Sequence, residues 1–255
     1  MVRFEHSELM MQESFQSDDG ATLPSAESVP ASASKSVVLN EDLALAQLEK
    51  RDLTPEAIQQ ISEDSGVMKS RKIRMAVASH PRTPRRVALR LIRELYTFEL
   101  MQFALTPGAP ADLRRMADEL LVSRLASITL GERIALARRC SEVVAGALLV
   151  DKQPRVWQTA LENPRLTEVS VVKALQKATA TPAFVEAVCH HTKWSVRGEI
   201  RIALLRSAHT PLAKALEFAR RIPAAQLRDI LHASRLPEKV KSYLRKECEG
   251  SGVRG

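Results

Sequence analysis

The sequence predicts an all-α fold, an α-solenoid of irregular antiparallel helix pairs that follows a disordered N-terminal tail. Composition is the first observation behind this prediction, because 33 Ala and 31 Leu make up 64 of the 255 residues, whereas aromatic residues account for 4% and glycines number 9. Such a composition favours helices over a β-sandwich or a dinucleotide-binding α/β domain. The other two observations are Thr-Pro pairs at short intervals and apolar residues that recur at the helical period.

The N-terminal segment is predicted to be a tail without its own core. Residues 20–36 read GATLPSAESVPASASKS, and such a stretch buries too little apolar surface to offset its ordering entropy. Before it, Phe4, Met11 and Phe15 stand at near-helical spacing among acidic residues, which indicates either a frayed terminus or a short helix that docks in a groove. The predicted boundaries are 1–38 for the tail, 39–249 for the repeat domain and 250–255 for a flexible C-terminus.

Thr-Pro pairs mark most of the predicted helix starts in the repeat domain. Threonine supplies a capping oxygen for the free N–H groups of the first turn, and proline suits the first helical position. Four of the pairs open an apolar-periodic stretch, whereas the pair at 106–107 closes one and leads into a loop. The pairs are Thr54-Pro55, Thr83-Pro84, Thr106-Pro107, Thr181-Pro182 and Thr210-Pro211.

Apolar periodicity predicts the helices themselves, and no segment has the pattern of a strand. The predicted buried faces are Val87, Ala88, Leu91, Ile92 and Leu95 after Pro84; Leu113, Met116, Ala117, Leu120, Leu121 and Leu125 after Pro110; Ile134, Ala137, Ser141, Val144, Ala145 and Leu148 after Gly131; and Val196, Ile200, Ala203 and Leu204 after Trp194. The last helices are expected to open near Pro211, Pro223 and Pro237, before a polar tail from Glu247. Because the predicted connections between helices are short, we expect neighbouring helices to be antiparallel.

Three segments of the repeat domain align with one another without gaps. They read HPRTPRRVALRLI (80–92), NPRLTEVSVVKAL (163–175) and SAHTPLAKALEFA (207–219), and such repetition is typical of stacked helix pairs. From these residues the chain resembles the HEAT/armadillo-like α-solenoids. It is most similar to bacterial helical-repeat proteins whose repeats open with Asn-Pro-Arg-Thr-Pro, here HPRTP (80–84), NPRLT (163–167) and a degenerate AHTP (208–211). The resemblance, over about residues 40–248, implies a HEAT/ARM-like superhelix that serves as a binding surface without shared chemistry.

Charge divides the chain into an acidic beginning and a basic remainder. Residues 1–66 hold 4 Lys/Arg and 13 Asp/Glu, a net charge of −9, so the formal total of +8 leaves +17 for residues 67–255. Arginine is suited to flat, bidentate recognition of carboxylate or phosphate groups. The basic residues therefore indicate either the solvated outer face of a helical protein or a surface that binds an anionic partner, which could be the acidic N-terminus itself.

Two groups of residues are candidates for such an anionic-partner surface. Five arginines surround the helix opening at Pro84, and three of them fall at i, i+4 and i+7 near a helix N-terminus, which favours anions. The second group combines a tryptophan with two arginines four residues apart, although a packing role for the tryptophan is the simpler interpretation. The candidates are Arg82, Arg85, Arg86, Arg90 and Arg93 in the first group, and Trp194, Arg197 and Arg201 in the second.

Catalytic, metal and membrane signals are absent from the sequence. It contains no phosphate-cradling glycine loop, nucleophile elbow or His-Glu-x-x-His helix. The cluster Cys189-His190-His191 is interpreted as a helix end with a buried cysteine, and Asp112, Asp118 and Glu119 as a solvated face. We therefore expect no enzyme, cofactor or metal. We also expect no membrane span, because the longest apolar run has 8 residues and a span needs about 18.

Two functions follow from these patterns. The first is a non-catalytic protein-interaction scaffold that binds a peptide or an acidic protein through a basic solenoid surface. The alternative is a nucleic-acid-binding repeat protein whose arginines contact phosphates. A cytoplasmic location is expected, because a signal-peptide pattern is lacking and three widely spaced cysteines suit a reducing compartment.

Overall fold

Helices account for all of the regular secondary structure in the part of the chain that the structure describes. The computed structural model describes the backbone of residues 40–251 and the side chains of residues 40–247. Within that range it contains fifteen α-helices, one 3-10 helix at Val67–Lys69 and no strand, which confirms the all-α prediction. The predicted tail 1–38, with its docking helix, and most of the predicted flexible C-terminus lie outside the described residues.

The helices are short and follow one another closely along the chain. The first eight are α1 (Glu41–Leu48), α2 (Pro55–Glu63), α3 (Arg71–Ser79), α4 (Arg85–Glu94), α5 (Thr97–Leu105), α6 (Ala111–Arg124), α7 (Leu130–Arg139) and α8 (Glu142–Leu148). The other seven are α9 (Pro154–Leu161), α10 (Glu168–Gln176), α11 (Pro182–His190), α12 (Gly198–Arg206), α13 (Leu212–Ala219), α14 (Ala224–His232) and α15 (Glu238–Ser251). Helix α15 continues four residues beyond Glu247, where the sequence predicted a polar tail.

Each helix packs chiefly against helices one or two places away in the chain. Six of them form an unbroken row, in which α4 contacts α6, α6 contacts α8, α8 contacts α10, α10 contacts α12 and α12 contacts α14. The intervening helices pack alongside this row, for example α3 on α4, α5 on α6 and α13 on α12. Among the described residues, every extensive helix–helix contact is therefore local in sequence.

Two of the Thr-Pro pairs start helices as the sequence predicted. The Thr54 hydroxyl accepts a hydrogen bond from the Ala57 N–H at 3.3 Å, and the Thr181 hydroxyl accepts one from the Phe184 N–H at the same distance. In both cases the proline occupies the first helical turn. The local sequence is sufficient here, because the cap and its acceptor lie within one turn.

The other two helix-opening pairs are Thr83-Pro84 and Thr210-Pro211. Their threonines do not cap the helix that follows, so the prediction for them is wrong. The Thr83 hydroxyl donates to the Val77 carbonyl at 2.5 Å, and the Thr210 hydroxyl donates to the Leu204 carbonyl at 2.6 Å. Each threonine thus closes the helix before it, and the following proline is the N-cap residue. The free carbonyls at a helix C-terminus compete for the same hydroxyl, and in these tight turns they lie within its reach.

The Asn-Pro-Arg segment fastens one helix pair to the next. Asn163 is completely buried, and its side-chain oxygen accepts a hydrogen bond from the Arg165 N–H at 2.8 Å. Its side-chain nitrogen donates to the Ala137 carbonyl at 2.8 Å and to the Cys140 carbonyl at 3.3 Å, at the end of α7. The Arg165 guanidinium donates to the Arg139 carbonyl at 3.2 Å. Asparagine and arginine therefore bind carbonyls that α7 leaves free at its C-terminus.

The His-Pro-Arg segment makes the same connection nearer the N-terminus. His80 is buried, its Nδ1 accepts from the Arg82 N–H at 3.2 Å, and its Nε2 lies 3.1 Å from the Lys50 carbonyl. This pairing requires the tautomer with the proton on Nε2. The Arg82 guanidinium donates to the Asp52 carbonyl at 3.1 Å. Histidine and asparagine can thus make the same connection at this position, because each side chain has one acceptor for the following backbone N–H and one donor for a carbonyl of an earlier helix end.

Helix α6 departs from the sequence prediction at Asp118, which is buried. This side chain was expected on a solvated face, but it is only 7% exposed and accepts a hydrogen bond from the Ser141 hydroxyl at 2.5 Å. Burial raises the pKa of the Asp118 carboxyl, against the lowering effect of Ser141 and Arg114. The residue therefore links α6 to the N-cap of α8 rather than facing water.

Cys140 and Cys189 lie in the core as free thiols, and Cys189 stands in the last turn of α11 as predicted. Burial raises the pKa of each thiol to about 12. At pH 8 about one such thiol in 10⁴ is ionised, against roughly a quarter for an ordinary cysteine. In a Cys248→Ser variant, we expect both remaining thiols to react with a disulfide reagent about a thousandfold more slowly in buffer than in urea. Rapid reaction of either thiol in buffer would contradict this burial.

No helix in the described part of the chain is both long enough and apolar enough to cross a membrane.

Candidate functional site

Helix α4 carries the first group of predicted arginines on its exposed face. Its buried face consists of Val87, Ala88, Leu91 and Ile92, which pack in the core as the sequence predicted. All five arginines of the group are exposed, the one before the helix included. The helical period therefore sorts arginines from aliphatic residues as expected.

Two of these five arginines bind a backbone carbonyl or a carboxylate of a neighbouring element. The guanidinium of Arg82 is bound to the Asp52 carbonyl, as described above. Arg85, the first residue of α4, forms an ion pair with Asp112 in the first turn of α6. Both side chains already have partners within the fold, so neither guanidinium is freely available to an external anion.

The other three arginines form a stripe along α4, which we call the α4 arginine stripe: Arg86, Arg90 and Arg93. The Arg86 guanidinium donates to the side-chain oxygen of Gln59 at 3.2 Å. Arg90 and Arg93 have no hydrogen-bond or ion-pair partner for their side chains among the described residues. Because adjacent stripe residues are one helical turn apart, the three charges span about 10 Å along the helix.

A groove of about 350 Å³ adjoins this stripe, between α2 and α4. Its lining is mostly polar, and Glu63 places one carboxylate at the edge of the basic surface. The lining residues are Gln59, Ser62, Glu63, Arg86, Val87 and Arg90. Sequence reasoning missed the α2 residues of this groove, because nothing in the local pattern shows that α2 lies beside α4.

The second predicted group does not form a surface site. Trp194 is 1% exposed, and its indole N–H donates to the Leu161 carbonyl at 2.9 Å, so its assignment to a partner-binding surface is wrong. The predicted helix start at Trp194 is also wrong, because α12 begins at Gly198 and Val196 is 59% exposed rather than buried. The indole fills a core position between helix pairs, and this position excludes any contact with a partner.

The two arginines of that group are also engaged within the fold. The Arg201 side-chain Nε donates to the Ser195 carbonyl at 2.8 Å, which ties α12 to the turn before it. Arg197, the N-cap residue of α12, lies 3.8 Å from the Glu168 carboxylate in the first turn of α10. Arg197 remains half-exposed, but its charge is partly compensated.

Polar links of this kind recur along the row from α4 to α12, at the N-terminal ends of the helices. They join α4 to α6, α8 to α10 and α10 to α12. The links are Arg85 with Asp112, Glu142 with Thr167 and Ser170, and Glu168 with Arg197. Two of the predicted binding arginines therefore serve the stacking of the helices.

The α4 arginine stripe has the chemistry of an anion-binding surface. Guanidinium groups hold carboxylate or phosphate oxygens through paired N–H donors, and the stripe offers three of them beside the carboxylate of Glu63. Within the described residues, no group of three His, Cys, Asp or Glu side chains is placed to hold a metal ion. The site can therefore take an anionic surface or segment of another molecule.

Comparisons with known proteins returned no match: no protein-family model, no curated protein and no solved structure is similar to this chain.

Proposed function

We propose that the chain is a non-catalytic interaction scaffold that binds an acidic protein or peptide segment on the α4 arginine stripe. The observation that carries this proposal is the lack of compensation at Arg90 and Arg93, which are exposed and unpartnered within the described residues. Most other arginines of the two predicted groups are bound to carboxylates or backbone carbonyls of the fold.

The spacing of the stripe suits a peptide partner. Positions i, i+4 and i+7 on a helix match acidic residues at the same spacing on a second helix, or at every second residue of an extended strand. Each guanidinium can hold one carboxylate bidentately, and the adjoining groove can accept a side chain between α2 and α4. An acidic segment of about seven residues would engage the whole stripe.

We also infer that the helices form an α-solenoid of the kind that the sequence predicted. Stacked repeats contact only their neighbours, and the extensive contacts among the described helices link elements one or two places apart. The recurring connections at His80 and Asn163, each made to a helix end 26 to 30 residues earlier, support the same arrangement. A solenoid offers a continuous surface, which suits a scaffold.

Nucleic-acid binding is the second candidate, and the net charge of +17 over residues 67–255 favours it. Single-stranded nucleic acids are held largely by stacking on exposed aromatic rings. Trp157 and Trp194 are both buried against Phe184 and His191 respectively, so the exposed rings among the described residues are those of Tyr96, Phe98 and Tyr243, none of which lies in the stripe or its groove. The Glu63 carboxylate at the edge of the stripe repels a phosphate backbone, which is charged at every nucleotide, more than a peptide that places a neutral residue opposite it. We therefore prefer the acidic protein partner.

The test compares the stripe with three exposed arginines elsewhere on the fold. Fluorescence anisotropy would measure binding of a labelled glutamate-rich decapeptide and of duplex DNA to the full chain and to two triple variants, over a salt series. We expect Arg86→Ala/Arg90→Ala/Arg93→Ala to weaken peptide binding by about tenfold or more, because three partly desolvated ion pairs are lost. The control, Arg138→Ala/Arg155→Ala/Arg228→Ala, removes the same charge from side chains without a partner in the described fold.

Three results would separate the candidates. Equal losses in the two variants would mean that the peptide responds to net charge alone, and the stripe would then not be the site. Binding of duplex DNA that is tighter than peptide binding and falls steeply with salt would favour the nucleic-acid function. A selective loss of peptide binding in the stripe variant supports the scaffold.

A further inference from the structure

A second groove runs along helix α3, on a part of the surface that contains no residue of α4. It consists of two adjoining depressions of about 530 Å³ and about 380 Å³, which share Ala76 and Ser79 on their floor. The first is lined by Leu48, Glu49, Arg51, Ala76, Ser79, His80, Pro81, Pro107 and Gly108. The second is lined by Arg71, Lys72, Met75, Ala76, Ser79, Glu99, Gln102 and Thr106. Together they extend from the C-terminus of α1 to the N-terminus of α5.

A hydroxyl without a partner lies where the two depressions meet. The Ser79 oxygen is inaccessible to bulk water and has no hydrogen-bond partner in the fold. Buried polar atoms are nearly always satisfied, and leaving one unmatched costs about 1–3 kcal/mol. Because the oxygen itself is buried, it can bond a group in the groove only after the Ser79 side chain rotates about its Cα–Cβ bond toward that group.

The charges of the groove are unevenly compensated. Arg71 lies 3.8 Å from Glu99 and sits over the Tyr96 ring, so both charges of that pair are engaged. Lys72 and Arg51 have no side-chain partner among the described residues. Glu49 also stands free, which leaves an excess of one positive charge in the groove.

We propose that this groove binds an extended peptide segment that carries an acidic side chain. The Ser79 hydroxyl and the Gln102 amide hydrogen-bond the peptide main chain, and Lys72 receives the carboxylate. Met75 and Leu48 supply apolar contact along the floor. The nine residues of α3 are about 13 Å long, which accommodates about four residues of an extended chain.

Charge complementarity favours a peptide over a nucleic acid in this groove. Two glutamates, Glu49 and Glu99, line it together with the basic residues, and Glu49, whose charge has no partner, would repel a phosphate backbone. A peptide main chain carries donors and acceptors without net charge, so it tolerates the glutamates while one of its carboxylates pairs with Lys72. The proposal does not depend on the α4 arginine stripe, because the two surfaces share no residue.

The test starts from an unbiased probe. A random dodecapeptide library displayed on phage is selected against the full chain, and the enriched peptides are synthesised and measured by isothermal titration calorimetry. We expect the enriched peptides to be acidic. Their affinity for the Lys72→Glu variant, in which an exposed residue is replaced, should be at least tenfold lower than for the natural chain. Ser79→Ala should weaken them about three- to tenfold, which is the contribution of one hydrogen bond.

Two controls keep the result specific. Ser79→Ala removes a polar atom that has no partner, so the unfolding midpoint of this variant should not fall. A loss of peptide binding in this variant is then caused by the change in the groove and not by a less stable fold. The stripe variant Arg86→Ala/Arg90→Ala/Arg93→Ala should bind these peptides as the natural chain does. Failure to enrich any peptide, or enriched peptides that are insensitive to both groove substitutions, would overturn the proposal.

Discussion

Trp194→Ala is expected to lower the free energy of unfolding by about 3–5 kcal/mol, the usual range for removing a fully buried tryptophan. The side chain is 1% exposed and is the largest of the fully buried side chains in the described core. Its indole N–H also satisfies the Leu161 carbonyl at the end of α9, which the substitution would leave without a donor. Both the cavity and the lost hydrogen bond act at the junction between two helix pairs.

Chemical denaturation followed by circular dichroism measures this effect. Trp194→Phe is the matched variant, because it fills most of the volume but cannot donate to Leu161, and we expect it to cost about 1–3 kcal/mol. A cost below 1 kcal/mol for Trp194→Ala would show that the indole does not sit in a packed core. Peptide binding at the α4 arginine stripe should be unchanged in either variant under native conditions.

Asn163→Ala is expected to cost about 2–4 kcal/mol, although it removes only a small polar side chain. The loss arises because the buried Ala137 carbonyl and the partly buried Arg165 N–H, both held by Asn163, would be left without partners. Each such group carries a desolvation penalty of about 1–3 kcal/mol. The effect therefore depends on hydrogen bonds across the helix pairs rather than on volume.

An isosteric substitution separates these two causes. Asn163→Asp preserves shape and the acceptor for Arg165, but it directs an acceptor or a charge at the Ala137 carbonyl, so it should destabilise at least as much as alanine. Gln158→Ala, on the exposed side of α9, is the control and should change stability by less than about 0.5 kcal/mol. An aspartate variant close to the natural stability would refute the hydrogen-bond explanation.

The sequence was sufficient wherever structure depends on neighbours within one helical turn. The apolar face of α4, the exposure of Arg86, Arg90 and Arg93, and the caps at Thr54 and Thr181 all follow from spacing alone. Each of these features depends on helical periodicity or on a hydrogen bond between residues three positions apart.

Features that depend on a partner elsewhere in the chain could not be predicted in this way. Arg85 and Arg197 have the same local signature as the stripe residues, but each meets a carboxylate 27 or 29 residues away. Trp194 stands at a predicted helix start, yet its indole reaches a carbonyl 33 residues earlier. Knowledge of which helices adjoin is needed before engaged and free arginines can be distinguished.

The local pattern of helix contacts has a consequence for how this molecule responds to heat, force and ligands. The extensive contacts among the described helices all lie one or two helices apart, which gives this part of the chain a low contact order, so it can nucleate at many places and fold rapidly. In the α-solenoid that we propose, stability is shared along a row of coupled units, as in a one-dimensional Ising chain, instead of being lost all at once. Protection of backbone amides by a partner on α4 would fade with distance along α6, α8 and α10, so the far end of the row, at α12 and α14, would open first.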